Sequence, residues 1–262
     1  IIFNMLSKPI VIYTDHQMSK TMCYYFAKGS GSLMSHISNF KDYNNTIATW
    51  GYLRGTDELM KKVKNYYYMD HGYFKQSKRS FSNNKTKIID LDGFFRIVYN
   101  NHWHNGSGNK SNDRFKNLNI KLKDIKKKGE YIILSEPTED AKNYYKLYNW
   151  IDETKEKLMK FTDRKLIIHN RGSKVALDDL LENAWAFVSD HSSAAFKAII
   201  NGVPAYFTNS NLSNIGLIED IEKHEINYQV LYNLAYEQWT IKEILSGEAW
   251  SYLSIKENEL KN

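Results

Sequence analysis

The residues with the clearest chemical potential lie in one segment that reads as a strand, a polar turn and a helix. Residues 186–188 predict a buried strand and residues 189–191 a polar turn. Ser192 and Ser193 then open a helix of small apolar residues, and the run 202–204, Gly-Val-Pro, precedes a second strand. A helix N-terminus offers unpaired backbone N–H groups to an anion, and the serine hydroxyls add donors. The segment therefore predicts a phosphate-binding site beyond the carboxyl end of a parallel strand.

Polar residues also follow the other predicted strands. The carboxyl ends of parallel strands meet at one edge of a sheet, so these residues are expected to gather there. They are Asp15, His16, Asp70, Glu136, His169, Arg171 and His191. Two such sheets, one in each half of the chain, would place these residues on either side of a cleft.

The run SDHSSAAFKAIINGVPAYF, residues 189–207, resembles the donor-diphosphate segment of GT-B-type glycosyltransferases. Capsule-polymer transferases, polyglycerol-phosphate transferases and sugar-nucleotide epimerases share this half of the fold. The resemblance implies an α/β fold with two Rossmann-like domains facing a cleft, the GT-B arrangement. It also implies a nucleotide sugar as substrate, for which we expect a UDP-sugar. The alternative is an ordinary βαβ unit whose serines only cap a helix.

A glycosyl transfer with inversion requires a base that accepts the proton of the acceptor hydroxyl, and Asp70 is the predicted base. It follows the predicted strand 66–69 and lies close to Gly72, which permits close approach of a ligand. Asp15 and His16 are the alternatives. Asp70 could instead accept hydrogen bonds from nearby backbone N–H groups in a turn that ends the strand.

The second half offers further groups for a nucleotide sugar. Arg171 could clamp the diphosphate through two hydrogen bonds, although an arginine before Gly172 also suits a surface turn. Glu136 and Glu219 could accept hydrogen bonds from ribose or sugar hydroxyls. The full predicted donor-binding set is Ser192, Ser193, His191, Arg171, His169, Glu136 and Glu219.

Basic residues are concentrated between Lys75 and Lys128. This stretch has 14 Lys and Arg against 4 Asp and Glu, a net charge of +10 in a chain whose total is +6. Aromatic residues such as Trp103 interrupt it, and such a segment could follow a nucleic-acid backbone. The predicted acceptor-binding residues are Lys75, Lys78, Arg79, Lys85 and Lys87. Solvated loops rich in lysine and asparagine are the alternative interpretation.

Composition narrows the class of protein. The chain has 262 residues, 42% hydrophobic and 25% charged, which is typical of a globular protein. A single cysteine, Cys23, excludes an internal disulfide and a cysteine-based zinc site. No apolar run nears the roughly 20 residues of a membrane span, and no signal-peptide pattern is seen, so we expect a cytoplasmic protein. No residue pattern indicates a tightly bound cofactor or a divalent metal ion, although a metal ion is compatible with the chemistry.

The basic run at 126–128, followed by Gly129, predicts a linker. We therefore expect an acceptor-binding domain over residues 1–126 and a donor-binding domain with C-terminal helices over residues 127–262. The predicted strands cover residues 9–14, 46–50, 66–69, 87–90, 94–99, 131–134, 165–168 and 186–188. The predicted helices cover residues 19–27, 57–64, 138–160, 176–181, 218–225 and 241–252.

Together these observations predict a glycosyltransferase that moves a sugar from a nucleotide sugar to a hydroxyl acceptor. Hydroxymethylated bases of duplex DNA rank first as acceptor, because the basic stretch falls mostly in the half expected to hold it. The size, charge and layout of the chain also resemble those of phage DNA glucosyltransferases. The first alternative is a transferase acting on a cell-surface or capsular polysaccharide precursor. The second is a non-catalytic nucleic-acid-binding protein.

Overall fold

The computed structural model describes residues 8–77, 79–81, 87–89 and 91–261, with 79–81, 87–89 and 257–261 described by their backbone. The chain divides into two compact units. The first holds Ile1–His102 and Glu237–Asn262, and the second holds Trp103–Tyr236. The chain therefore leaves the first unit after His102 and returns to it at Glu237.

Strands and helices alternate along most of the chain, as the predicted α/β class requires. The strands are β1 (Ile10–Tyr13), β2 (Met34–His36), β3 (Ile47–Trp50), β4 (Tyr66–His71), β5 (Arg79–Phe81), β6 (Lys87–Ile89), β7 (Phe94–Tyr99), β8 (Tyr131–Ser135), β9 (Lys165–His169), β10 (Ala184–Ser189), β11 (Ala205–Phe207) and β12 (Gln238–Thr240). The α-helices are α1 (Gln17–Ser30), α2 (Thr56–Lys62), α3 (Asp113–Asn117), α4 (Glu139–Tyr145), α5 (Trp150–Leu158), α6 (Leu177–Leu181), α7 (Ala194–Ile200), α8 (Tyr228–Ala235), α9 (Ile241–Leu245) and α10 (Glu248–Lys261).

The sheet of the first unit runs in the order β12-β7-β4-β3-β1-β2. The strands β2, β1, β3 and β4 are parallel, whereas β7 is antiparallel to both β4 and β12. Successive side chains of a strand point to opposite faces, so Val11 packs in the cluster formed with α1, α9 and α10, and Ile12 in the cluster formed with α2. Helices thus cover both faces of this sheet.

The sheet of the second unit runs in the order β11-β10-β8-β9 and is parallel throughout. Apolar residues of β8 and β10 pack against Trp150 and Leu158 of α5. The helix α7 connects β10 to its parallel neighbour β11. Parallel strands joined by helical crossovers define a Rossmann-like unit. The predicted fold class, α/β with two Rossmann-like domains, is confirmed.

The unit boundaries differ from the predicted division at residues 126 and 127. Residues 103–126 belong to the second unit because side chains of that unit hold them. Asn233 accepts a hydrogen bond from the Lys110 N–H at 2.9 Å and donates to the carbonyls of Gly106 and Gly108 at 2.7 and 2.9 Å. The backbone near Asp124 also approaches Gly202 so closely that a β-carbon there would lie 2.0 Å from the Asp124 oxygen.

Residues 237–262 belong to the first unit for a similar reason. The strand β12 pairs with β7, and α9 and α10 pack on α1. At Gly29, in α1, a β-carbon would lie 1.8 Å from the carbonyl oxygen of Ile244 in α9, so only glycine permits this approach. The C-terminal helices predicted for the donor-binding domain therefore complete the other unit.

Most predicted elements are confirmed, with differences at particular residues. The predicted helix 138–160 is two helices, α4 and α5, because Lys146 adopts a left-handed conformation with φ 61°. The predicted helix 241–252 is interrupted at Gly247, with φ 86°, and the helix expected over 218–225 is a 3-10 turn, Ile218–Asp220. Across the described ranges, no helix combines the length and apolar character that a bilayer crossing requires.

Candidate active site

Polar residues of the second unit share one sheet edge because of the strand register. Ser135 pairs with His169 and with Ser189, and Ser189 pairs with Phe207, so the parallel strands end level with one another. The residues that come next along the chain are Glu136, Asn170, Asp190 and Thr208. The sequence expectation that polar strand ends gather at one edge is confirmed for this unit.

Asp190 and His191 form a hydrogen-bonded pair at this edge. The carboxylate of Asp190 is buried, and its Oδ2 lies 2.6 Å from Nδ1 of His191. The hydroxyl of Thr208 donates to Asp190 Oδ1 at 2.8 Å, and Trp150 Nε1 donates to that hydroxyl at 2.7 Å. Four side chains from three separate stretches of the chain are therefore linked in series.

Aromatic rings flank His191. The ring of Tyr145 lies 4.5 Å from the imidazole, centroid to centroid, and the ring of Trp103 lies 5.8 Å from it. The His191 side chain is only 13% exposed. The imidazole is thus held by a carboxylate on one nitrogen and by apolar surface on its sides.

Glu136, which follows β8, is held by two neighbours. Lys142 Nζ donates to its Oε1 at 2.8 Å, and Asn170 Nδ2 donates to its Oε2 at 2.9 Å. These hydrogen bonds, that of Lys142 first, lower the pKa of Glu136 below its ordinary value. Glu136 is therefore a carboxylate at neutral pH. Each of its oxygens has capacity for one more hydrogen bond, which suits the predicted contact with a ribose or sugar hydroxyl.

Ser192 and Ser193 lie where the sequence predicted a helix start, but they make different local contacts. The Ser192 N–H donates to Ser189 Oγ at 2.6 Å, and Ser192 Oγ accepts from the Ala194 N–H at 3.2 Å. Ser193 occupies the N-cap position of α7 without a side-chain hydrogen bond to the helix. The helix itself has seven residues. Ser192 thus has a local structural use, and the two hydroxyls remain predicted ligands of the diphosphate.

The other predicted donor-binding residues lie in different surroundings. His169 ends β9, and its carbonyl accepts from the Glu136 N–H at 2.9 Å. Arg171 is exposed in a turn that Asn170 holds by accepting the Gly172 N–H at 2.9 Å. Glu219 pairs with Lys157 of α5 at 2.9 Å, and this hydrogen bond lowers its pKa. His169 therefore shares the strand edge with Glu136, whereas Glu219 is bound to α5.

In the first unit, Asp70 lies near the end of β4 and is paired with a buried arginine. Arg96 Nη2 donates to Asp70 Oδ2 at 3.0 Å, the Tyr68 hydroxyl donates to the same oxygen at 2.8 Å, and the His71 N–H donates to Oδ1 at 2.7 Å. Burial alone would raise the pKa of Asp70, but the charge of Arg96 and these hydrogen bonds lower it. Arg96, 3% exposed, also donates to the His102 carbonyl at 2.9 Å.

These contacts give Asp70 a structural role, including the local backbone hydrogen bond that the sequence allowed as an alternative. Its side chain is 27% exposed, and Oδ1 accepts a hydrogen bond from His71 in addition to the two on Oδ2. A carboxylate can accept about four hydrogen bonds, so Asp70 retains capacity for one more. Its role as a base stays a prediction.

The alternative bases, Asp15 and His16, follow β1. The Asp15 side chain is 85% exposed and pairs with Lys20 at 3.0 Å and with His36 at 3.6 Å. The hydrogen bond from Lys20 is the main cause of its lowered pKa. His16 is half-buried at the N-cap position of α1, and its backbone N–H donates to Thr14 Oγ1 at 3.4 Å.

The predicted acceptor-binding residues are only partly described. Lys75 is exposed and adopts a left-handed conformation with φ 46°. Arg79 and Lys87 lie on β5 and β6, which pair in an antiparallel hairpin. Lys78 and Lys85 fall outside the described residues.

The basic stretch does not belong to one half of the chain, which corrects its assignment to the acceptor domain. Residues 75–102 contain 6 basic residues (Lys or Arg) against 2 acidic ones (Asp or Glu). Residues 103–128 contain 8 basic residues against 2 acidic ones. The second group lies in the second unit. In the first group, Arg96 is buried against Asp70 and is not available to a polyanion.

Sequence reasoning did not assign a role to Asp190, Thr208, Trp150, Asn170 or Arg96. Asp190 could have been found, because it adjoins His191 in a turn already predicted to bind a ligand. The others contribute through contacts between residues that are far apart in the chain, and no local pattern marks them. Within the part of the chain that the structure describes, no three His, Cys, Asp or Glu side chains converge as a set of metal ligands.

No protein-family model and no curated protein sequence matches the chain. Solved structures that are similar to it include two from KpsC of Thermosulfurimonas dismutans. The β-Kdo 2,7 transferase has 10% sequence identity and a TM-score of 0.48, and the match covers 92% of this chain and 98% of that one. The β-Kdo 2,4 transferase has 10% identity and a TM-score of 0.42, with coverage of 88% and 90%.

Proposed function

We propose that this protein is a glycosyltransferase and that the strand edge of its second unit binds a nucleotide-sugar donor. The observation that carries the proposal is the common edge of β8, β9 and β10. It gathers an ionised carboxylate, Glu136, and a buried carboxylate–imidazole pair, Asp190 and His191. Open α/β sheets bind their ligands beyond the carboxyl ends of parallel strands.

The groups at this edge match the parts of a nucleotide sugar. The hydroxyls of Ser192 and Ser193 can donate to the diphosphate, and Arg171, on the neighbouring turn, adds an exposed positive charge. Glu136 can accept hydrogen bonds from ribose or sugar hydroxyls. The ring of Tyr145 offers an apolar surface for a base or sugar ring. We test a UDP-sugar first and propose no resident cofactor.

The acceptor is proposed to be an anionic polymer, and duplex DNA with hydroxymethylated bases is tested first. The support is the basic run Lys75–Lys87 in the first unit, the unit that also holds Asp70. A polysaccharide precursor is the second candidate acceptor. The division of the basic stretch between two units favours it, because fewer cations of the first unit are left for a DNA backbone.

A panel of nucleotide sugars tests the donor site by thermal shift. A ligand at 100 times its dissociation constant adds about 2.7 kcal/mol to the unfolding free energy, which a melting curve resolves. Ser192→Ala with Ser193→Ala should weaken nucleotide binding by about thirtyfold, since each hydroxyl contributes about 1 kcal/mol as a donor and about 1.4 kcal/mol is a factor of ten in affinity. The matched control is Ser251→Ala with Ser254→Ala, which changes two serines of α10 in the first unit.

The outcomes separate the candidate functions. Stabilisation of wild type by a nucleotide sugar, reduced in the Ser192 and Ser193 variant but not in the control, supports a donor site. Binding of duplex DNA without binding of any nucleotide sugar would contradict the transferase and favour a nucleic-acid-binding protein. Unchanged nucleotide affinity in the double variant would remove the two serines from the site.

A further inference from the structure

The chain of side chains behind His191 has a fixed direction. The indole N–H of Trp150 can only donate, so the Thr208 hydroxyl oxygen accepts it and uses its own hydrogen toward Asp190. A carboxylate can only accept, so the bond between Asp190 Oδ2 and His191 Nδ1 places a hydrogen on Nδ1. The other ring nitrogen, Nε2, is therefore the atom through which a protonated imidazole would donate a proton to a ligand.

Burial gives this arrangement its strength. Asp190 is 8% exposed and each of its oxygens is engaged, so the carboxylate cannot rotate freely toward solvent. A carboxylate on Nδ1 fixes the orientation of an imidazole and stabilises its protonated form. His191 directly precedes Ser192 and Ser193, the predicted diphosphate ligands.

We propose that His191 is the general acid of the glycosyl transfer, and that Asp190, Thr208 and Trp150 are the residues that position it. The inference rests on the proposed function of the same edge. It assigns His191 a step in the reaction, beyond a contribution to donor binding.

In the proposed step, the bond between the anomeric carbon of the sugar and the diphosphate oxygen breaks, and its electron pair stays on that oxygen. The oxygen takes the proton from His191 Nε2. The acceptor hydroxyl oxygen forms the new bond to the anomeric carbon, and its proton passes to a general base, which then releases it to water. His191, now neutral, regains a proton from water before the next turnover.

Two titratable groups face His191 in the described part of the chain: Asp190, which precedes it, and Tyr145 of α4. A group that must be protonated for catalysis makes kcat fall at high pH, and this fall is the basic limb of the pH profile. His191→Gln should lower kcat by about 10² to 10⁴ and abolish this basic limb, and the loss of kcat should be larger than any loss of affinity for UDP. Asp190→Asn should shift the basic limb to lower pH, because the protonated imidazole of the variant no longer has a negatively charged neighbour that stabilises it.

Thr208 provides a test that does not alter an ionisable group. Thr208→Val should shift the basic limb in the same direction as Asp190→Asn but by less, since the carboxylate remains but is no longer held by Thr208 in its orientation toward the imidazole. Thr208→Ser keeps the hydroxyl and should restore the wild-type profile. The matched control is His224→Gln, which changes a histidine of the same unit that stacks on Trp185 at 3.6 Å.

The experiment is the pH dependence of kcat for these variants, with a UDP-sugar found to be turned over by wild type. The proposal is supported if His191→Gln loses the basic limb while Thr208→Ser and His224→Gln both keep the wild-type pH profile. An unchanged basic limb in His191→Gln overturns it, and loss of the acidic limb instead would make His191 a base. Absence of any transfer by wild type would overturn the proposed function itself.

Discussion

Asp70 and Asp190 are acidic residues at the ends of strands, one in each unit, and their partners differ. Asp70 is paired with Arg96, a group that keeps its proton at any physiological pH. Asp190 is paired with the imidazole of His191, the side-chain type that most often serves as a general acid or base. Both carboxylates also accept a hydroxyl hydrogen bond, from Tyr68 and Thr208 respectively.

The difference shows that a strand-end carboxylate is not defined by its position alone. The Arg96 charge lowers the pKa of Asp70 against the opposing effect of burial, and the pair ties β4 to β7. Asp190 instead holds the imidazole of His191, the residue proposed to protonate the leaving group. The same residue type therefore anchors a neighbouring strand in one unit and orients a histidine in the other, depending on its partner.

Replacing Asp70 tests whether this carboxylate acts as a base in addition to anchoring β4 to β7. Asp70→Asn removes the basic carboxylate at nearly constant size, so turnover should fall by about 10² to 10⁴ with nucleotide binding intact. Initial rates and nucleotide thermal shifts of the folded variant measure this. Asp42→Asn, an exposed position of the same unit, is the control.

Near-normal turnover in Asp70→Asn would make Asp70 an anchor alone, and the role of the base would move to Asp15 or His16. A defect in nucleotide binding instead would show that the donor site extends beyond the residues assigned to it.

The second prediction concerns stability. Arg96→Met leaves the Asp70 carboxylate without its positive partner, and breaking such a buried pair costs about 3 kcal/mol of unfolding free energy. Urea denaturation at neutral pH measures this decrease. Lys61→Met, which breaks the exposed pair with Glu58 in the same unit, should change stability little.

The pH dependence of this decrease has a definite sign. The pKa of Asp70 in the folded protein lies below its ordinary value of 3.8, so the stability that its ionised form contributes is fully present above pH 3.8. It is lost as the pH falls through the folded value. The stability difference between wild type and Arg96→Met should therefore shrink below pH 3.8, and a constant difference would contradict the charge-based explanation.

The salt dependence of DNA binding distinguishes the basic residues of the two units. Removing one lysine that neutralises a DNA phosphate should reduce the slope of log affinity against log salt by about 0.9. The triple variant Lys75→Ala, Lys78→Ala, Lys85→Ala should therefore lower the slope for duplex DNA by up to about three times this amount. Filter binding at several salt concentrations measures it.

A second triple variant, Lys116→Ala, Lys121→Ala, Lys128→Ala, makes the same charge change in the other unit. Equal slopes for wild type and the first variant would remove DNA as the acceptor and promote the polysaccharide precursor. A decrease in the second variant alone would place the polyanion contact with the second unit.

Local patterns were sufficient for most strands and for the class of fold. Runs such as 9–14 and 66–69 are apolar, β-branched or aromatic, and the structure forms β1 and β4 there. The short strand β12, residues Gln238–Thr240, was not predicted, because three residues are too few for a period-2 pattern and the strand forms by pairing with β7. The break at Lys146 was also missed, since a lysine with positive φ has no sequence signal.

Local patterns likewise predicted the residues of the candidate site that adjoin a strand, but not the residues that hold them. His191, Ser192, Ser193 and Glu136 adjoin predicted strands, and their types suggest ligand binding. Their partners were not predictable, because Thr208 reaches Asp190 through the pairing of β10 with β11, and Arg96 reaches Asp70 through the pairing of β4 with β7. Non-local strand pairing, which a single sequence does not reveal, decides which carboxylate pairs with an arginine and which is held by a threonine behind a histidine.

The interruption of the first unit by the second has a consequence for how the protein folds during synthesis. Trp103–Tyr236 is one continuous segment, so the second unit can fold as soon as that segment leaves the ribosome. The first sheet cannot gain β12 or the packing of α9 against Gly29 until the following residues emerge. Until then β7 is an uncovered sheet edge, the kind of surface on which nascent chains associate wrongly. The second unit can therefore complete its fold before the first, although the first begins nearer the N-terminus.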